Sequence, residues 1–175
     1  MSKIGVVAGS FDPITAGHVW LIGKAAELVG EGGKLHVTMA VNPAKKYYFD
    51  AETRISLIQT TLENWLPTAL FNRIVVDVID NDLLINHARR ISATHIFRGI
   101  RNAVDFNYEA DIQQVNLKIC SNIDTVFFIP PPDMSSISSS TVKGLVGFDG
   151  WENVVEEYIH KSVITAFKEK LKCGQ

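Results

Sequence analysis

Five short apolar runs, rich in β-branched residues, punctuate the chain at Ile4–Ala8, Leu35–Val41, Ile74–Ile79, His95–Phe97 and Thr125–Ile129. Each is followed by a stretch with helical spacing. The runs are continuous rather than alternating, as in strands buried on both faces, and regular strand–helix alternation sets successive strands parallel. The expectation is an α/β fold: one doubly wound, Rossmann-like domain over residues 1–175, with a five-stranded parallel sheet and helices on both faces. An apolar stripe of Val19, Leu21, Ile22, Ala25, Ala26 and Val29 predicts the first helix, from Gly17. Asp50 reads as an N-cap for Ala51–Trp65. Further helices are predicted over Asp82–Ser92, through Tyr108, Ile112, Val115 and Ile119, and over Ser138–Phe148. A long C-terminal helix is predicted at about 152–171, where Val154, Val155, Tyr158, Ile159, Val163 and Phe167 suit either a core helix or a subunit contact.

Composition narrows the class. At 175 residues the chain has the size of one domain, and 46% hydrophobic with 21% charged residues excludes intrinsic disorder. A net charge of −2 carries no mark of a nucleic-acid or membrane binder. No uncharged apolar stretch reaches the roughly 18 residues of a membrane helix, and the N-terminus lacks a signal-peptide pattern. Cys120 and Cys173 have no CxxC partner and read as reduced thiols, so a cytoplasmic location is expected.

Ligands of doubly wound sheets sit at the carboxyl ends of the strands, so the loops there carry the functional question. After the first strand comes Gly9-Ser10-Phe11-Asp12-Pro13-Ile14-Thr15-Ala16-Gly17-His18, which is neither GxxxxGK[ST] nor GxGxxG. Gly9 permits close backbone approach and Ser10 offers a hydroxyl. Gly17-His18 opens a helix whose free N–H groups favour an anion. Thr15 and His18, three apart, share a side of the first turn, although a histidine there also suits a simple capping role. After the fifth strand, Met134–Lys143 sets five serines and a lysine before a helix, suited to a triphosphate or to plain N-capping. After the fourth, Arg98 and Arg101 bracket Gly99, in reach of bidentate phosphate recognition or of an ion pair between Arg101 and Asp105. After the second, Lys45-Lys46 lies among Tyr47, Tyr48 and Phe49 in a loop able to close over an anion. Four loops with phosphate-type groups at one sheet edge point to chemistry on a nucleoside triphosphate.

Thr15-Ala16-Gly17-His18 and Ile137-Ser138-Ser139-Ser140 resemble the (H/T)xGH and ISSS-type motifs of the nucleotidylyltransferase superfamily. With Arg98-Gly99-Ile100-Arg101, Asp105-Phe106-Asn107-Tyr108-Glu109 and Asn42-Pro43-Ala44-Lys45-Lys46, the chain is similar to the bacterial phosphopantetheine adenylyltransferase family from about Ile4 to Phe148. The resemblance implies transfer of AMP from ATP to 4′-phosphopantetheine, giving dephospho-coenzyme A and pyrophosphate, with magnesium carried by ATP. It implies a catalytic role for His18 as transition-state stabiliser, with Lys45 and Arg98 orienting the nucleophile. ATP contacts are implied for Ser10, Phe11, His18, Gly99, Ile100, Arg101, Glu109, Met134, Ser135, Ser136, Ile137, Ser138, Ser139 and Ser140. Ser10, Lys45, Leu84 and Arg98 would hold the pantetheine arm and its phosphate, with Asp82 and Asn116 nearby. A homo-oligomer, a hexamer in the family, and feedback binding of coenzyme A are implied as well.

The chain departs from the family pattern at Ala8, Ser10, Met134 and Gly144. It is longer around Gly30–Lys34 and Trp65–Asn72, both expected at the sheet edge away from the site. Two alternatives accompany this reading. One is a nucleotidylyltransferase for another phosphate acceptor such as nicotinamide mononucleotide, against which the Arg98–Glu109 and Ile137–Lys143 blocks argue. The other is a non-catalytic nucleotide sensor, which would need a lost catalytic group. No protein-built metal cage is expected: His36, His87, His95 and His160 are scattered, without an HExxH pair, and read as packed or solvated.

Overall fold

A computed structural model describes residues 2–136 and 138–173. Ile137, one of the expected nucleotide contacts, lies outside the described residues, as does the side chain of Ser135. The elements follow in the order β1 (Ile4–Gly9), α1 (Ala16–Val29), β2 (Lys34–Val41), α2 (Ala51–Trp65), α3 (Thr68–Phe71), β3 (Ile74–Asp80), α4 (Leu84–Arg90), β4 (His95–Gly99), α5 (Ala103–Ile119), β5 (Asp124–Phe128), α6 (Pro132–Ser135), α7 (Ser139–Leu145), α8 (Trp151–Val155) and α9 (Lys161–Cys173).

All four strand pairings are parallel, in the order β3-β2-β1-β4-β5. The chain builds outward from β1 to β3, then returns across the sheet to add β4 and β5 on the other side of β1. The reversal opens a crevice between the carboxyl ends of β1 and β4. Gly9-Ser10 and Gly99-Arg101 therefore meet at the switch point, although nearly ninety residues of chain separate them. The longer segments around Gly30 and Asn72 enter β2 and β3 from the opposite edge, as expected.

The sheet is sandwiched unequally. On one face, Val7, Leu35, Val37, Met39 and Phe97 pack with Ile22, Ala25, Ala26 and Val29 of α1, Ile58 and Leu62 of α2, and Val163 and Phe167 of α9. On the other, a smaller core joins Val6 and Ile96 to Ile85 and Ala88 of α4. The two cysteines are free, and among the described residues no helix is long and apolar enough to cross a membrane.

The single C-terminal helix expected at 152–171 is corrected to two, α8 and α9, joined by residues 156–160. The break has a tertiary cause. The Tyr158 carbonyl leaves the helical ladder to accept the Ala16 N–H at the start of α1, at 2.7 Å, and His160 Nδ1 accepts the Ser162 N–H to begin α9. The apolar residues then settle the question left open by the sequence: Val155, Ile159, Val163 and Phe167 are core, whereas Val154 faces outward. Two short helices, α3 and α6, have too few residues to leave a periodic trace, and the helix expected over Ser138–Phe148 ends at Leu145.

Phe167 closes the larger core beneath the site, with ring centroids 5.0 Å from Tyr48, 4.9 Å from Phe49 and 5.9 Å from Trp151. Truncating a fully buried aromatic typically costs about 3–5 kcal/mol. Phe167→Ala should lower the free energy of unfolding by that amount in urea melts; a loss under about 1 kcal/mol would mean that α9 is not part of the cooperative core.

Candidate active site

The loop after β1 is built around Asp12. Its side chain is buried and accepts the backbone N–H groups of Tyr48 at 2.8 Å and Phe49 at 2.9 Å, and the Lys143 ammonium at 2.9 Å. Burial pushes this carboxyl up, but the two backbone donors and Lys143 outweigh it and hold the group below its usual range. Lys143 thereby ties α7 to the first loop and lines neither of the two cavities of the site; the sequence leaves its segment open between a triphosphate site and plain N-capping. Arg54, buried in α2, donates to the Ser10 carbonyl at 2.9 Å and lies 3.9 Å over the Tyr47 ring. Between these anchors Phe11 is held in the left-handed region at φ 45°, a conformation that costs a non-glycine residue of order 1 kcal/mol. Its ring meets the edge of His18 at 5.1 Å.

His18 is oriented by Thr15. The Thr15 N–H donates to Nδ1 at 3.1 Å, and the Thr15 hydroxyl lies 2.8 Å from the same nitrogen. With Nδ1 accepting, the neutral ring carries its proton on Nε2. Burial, followed by the charges of Arg101 and Arg98, holds the His18 pKa at about 4 against an ordinary 6.5. The ring at neutral pH is therefore an uncharged N–H donor on the wall of a cavity, not an imidazolium.

Two cavities adjoin at this edge of the sheet, and His18 lines one of them. One, of about 380 Å³, is lined by Ser10, Phe11, His18, Arg98, Gly99, Arg101, Glu109, Met134, Ser138, Ser139 and Ser140, together with Thr15 and Trp20. Its neighbour, of about 340 Å³, is lined by Ser10, Lys45, Leu84, Arg98, Glu109 and Asn116, with Asn42, Tyr47, Tyr108 and Gln113. Ala8, Gly9, Ser10, Arg98 and Glu109 belong to both. A larger groove of about 740 Å³ between α2 and α9 contains none of the expected site residues.

Other expected residues stand apart or carry further duties. Ile100 is buried and its N–H donates to the Phe128 carbonyl, so its side chain lines neither cavity. Asp82 pairs with Arg90 and accepts from Asn86, also outside both linings. Ser136 is exposed at the end of α6. The Ser138 hydroxyl caps α7 by accepting the Thr141 N–H at 3.0 Å, and the Ser139 hydroxyl donates to the Pro13 carbonyl at 2.7 Å. Arg98 forms a two-pronged pair with buried Glu109, Nε to Oε2 at 2.7 Å, and also donates to the Ala8 carbonyl at 2.7 Å. The ion pair between Arg101 and Asp105 forms as its helical spacing allows, at 2.8 Å.

Sequence reasoning missed the anchoring roles of Asp12 and Arg54. Asp-Pro after a strand reads as a turn, which hides the role of Asp12. Arg54 stands three and four residues before Leu57 and Ile58, so helical spacing sets it on the apolar stripe of α2, but nothing local names the Ser10 carbonyl as its partner. The expectation that the histidines are scattered is likewise corrected: His36 and His87 converge on Asp77.

The depressed pKa of His18 makes a prediction with a definite sign. Between pH 4 and 6.5 the unfolded chain binds more protons at this residue than the folded one, so stability falls as pH drops through that window. The His18 ring resonances should titrate with a midpoint near 4, and His18→Gln should flatten that part of the stability curve. A midpoint near 6.5 would remove the case for a neutral donor.

Residues 6–145 match the model of the cytidylyltransferase-like family. A phosphopantetheine adenylyltransferase of Chromobacterium violaceum is 40% identical over 161 residues, covering 92% of this chain and 93% of its own. One from Streptococcus uberis is 38% identical over 173 residues, covering 99% and 97%. Among solved structures, the Plasmodium falciparum nicotinic acid mononucleotide adenylyltransferase complexed with APC superposes with a TM-score of 0.71 over 98% of this chain and 97% of its own. At 15% identity that likeness carries the fold alone. On its matched length and on these relatives, the chain belongs to the cytidylyltransferase-like family and, within it, to the phosphopantetheine adenylyltransferases.

Proposed function

We propose that the chain transfers the adenylyl group of ATP to 4′-phosphopantetheine, releasing pyrophosphate and forming dephospho-coenzyme A. The observation that carries this reading is the pair of cavities divided by Ser10, Arg98 and Glu109 at the switch point of the sheet. Such a partition suits an in-line displacement: the nucleotide occupies the cavity of His18 and the serines, and the acceptor phosphate enters from the side of Lys45. An acceptor phosphate oxygen attacks the α-phosphorus as the bond to the β-phosphate oxygen breaks. The attacking oxygen is already anionic near neutral pH, so no general base is needed. The protein contributes alignment and stabilisation of the charge that grows on the α-phosphate and the leaving pyrophosphate.

In this reading the Nε2–H of His18 donates to an α-phosphate oxygen, and Thr15 keeps the ring in the required tautomer. Lys45 and Arg98 steer the nucleophile, and Leu84 and Asn116 flank its arm. Magnesium, when bound with the nucleotide, would be held mainly by phosphate oxygens and water and would supply neutralising charge there. In support, the lining carboxylates Glu109 and Asp105 are engaged with Arg98 and Arg101. A homo-oligomer is part of the proposal, supported by the apolar side chains Val104, Phe106, Tyr108 and Val115 that α5 leaves exposed. Cytoplasmic location and feedback binding of coenzyme A complete it.

The test is pyrophosphate release from ATP and magnesium with 4′-phosphopantetheine, nicotinamide mononucleotide or glycerol 3-phosphate offered separately. Release is expected with phosphopantetheine alone. Losing a donor to the transition state costs on the order of 3–4 kcal/mol, so His18→Ala should lower kcat by roughly two to three orders of magnitude with little change in ATP affinity. Equal losses in both would reassign His18 to nucleotide binding. Release with another acceptor would overturn the substrate, and ATP binding without release would favour a sensor.

A further inference from the structure

The sheet face beneath α4 carries a polar cluster that nucleotidyl transfer does not use. His36 on β2, Asp77 on β3 and His87 on α4 bring one ligand atom each to within 4.8 Å of one another. Asp77 Oδ2 lies 2.8 Å from His36 Nδ1 and 3.2 Å from His87 Nε2. The His87 side chain is only 9% exposed, and among the described residues its Nε2 has no hydrogen-bond partner despite facing the carboxylate. A buried ring nitrogen that faces a carboxylate without a well-formed hydrogen bond is a cost that a native core rarely carries without a purpose.

We propose that His36, Asp77 and His87 bind a divalent transition metal of the zinc class, which clamps β2, β3 and α4 together. Two imidazoles and one carboxylate are a borderline nitrogen–oxygen set, suited to zinc, cobalt or nickel rather than to magnesium or calcium. With metal–ligand bonds of about 2.0–2.1 Å, the edges of a tetrahedral site are about 3.3 Å. The contact between Asp77 and His87 is already close to that length, the 2.8 Å contact of His36 would lengthen by about half an ångström, and the two imidazole nitrogens, within 4.8 Å of one another, would adjust to the same edge. The carboxylate supplies the negative charge, and the partial exposure of Asp77 and His36 leaves room for water as the fourth ligand. The ion also gives the lone pair of His87 Nε2, which makes no hydrogen bond among the described residues, a partner. The clamp bears on the acceptor-side cavity, because α4 contributes Leu84 to its wall and β2 leads into Ala40 and Asn42.

The test uses the intact protein after treatment with a chelator. Zn²⁺ is titrated in competition with a chromophoric chelator, and Co²⁺ is followed by its visible absorption. One equivalent should bind, with the intense d–d bands of four-coordinate cobalt and a rise in thermal midpoint. His36→Gln and His87→Gln should each weaken binding at least about tenfold, with unchanged circular dichroism confirming the fold. Should His87→Gln fail to fold, His36→Gln and the cobalt spectrum of the unmodified protein decide the matter. Absence of stoichiometric binding, six-coordinate cobalt bands, or equal affinity in the folded variants would overturn the site and leave the cluster as a hydrogen-bonded triad.

Discussion

The buried carboxylate of Asp12 joins three segments that are distant in the chain: the loop after β1, the approach to α2 at Tyr48-Phe49, and α7 through Lys143. Taking such a charge out of water is tolerable only when its lone pairs are filled, and here two backbone donors and an ammonium fill them. The consequence is stiffness where the site needs it. The first loop cannot relax without unpairing a buried charge, so the left-handed Phe11 persists and the opening turn of α1 stays in place. His18 inherits its orientation from that turn through Thr15. Arg54 adds a second tether from below, fixing the Ser10 carbonyl and bracing the Tyr47 ring of the neighbouring loop.

The cations around the cavities follow a similar logic. Arg98 and Arg101 are not loose positive charges awaiting phosphates, since each is held by a carboxylate from α5. Pairing of this kind keeps the chain's overall charge near neutral while placing donors at defined points, so phosphate recognition rests on local geometry rather than on a broad basic field. Arg98 goes further by binding the Ala8 carbonyl, which links β4 to β1 within the wall common to the two cavities.

Much of this was legible in the residues. All five strands lie where the apolar runs are, Asp50 caps α2 by accepting the Thr53 N–H, and the stripe on α1 faces the core. The loops carrying Ser10, His18, Lys45, Arg98 and Met134 were identified and do converge on adjoining cavities. Less visible were the interactions that divert groups from their local role. The Tyr158 carbonyl breaks a helix in order to serve α1, and Lys143 turns to Asp12 instead of to the cavity. Arg54 shares the buried stripe of α2 with Leu57 and Ile58, yet only the fold supplies the Ser10 carbonyl that it binds.

The division follows the range of the forces. Hydrophobic periodicity, caps and turn residues act within a few positions, so the sequence alone determined the succession of strands and helices, the parallel sheet and the loops that bear the chemistry. Which strands become neighbours depends on burying whole faces against segments far along the chain. Only the tertiary structure therefore decided the order β3-β2-β1-β4-β5, the crevice between β1 and β4, and the three-way anchoring of Asp12. The same holds for His36, Asp77 and His87: no short-range spacing relates them, and they meet because β2 pairs with β3 and α4 brings His87 up to that pair.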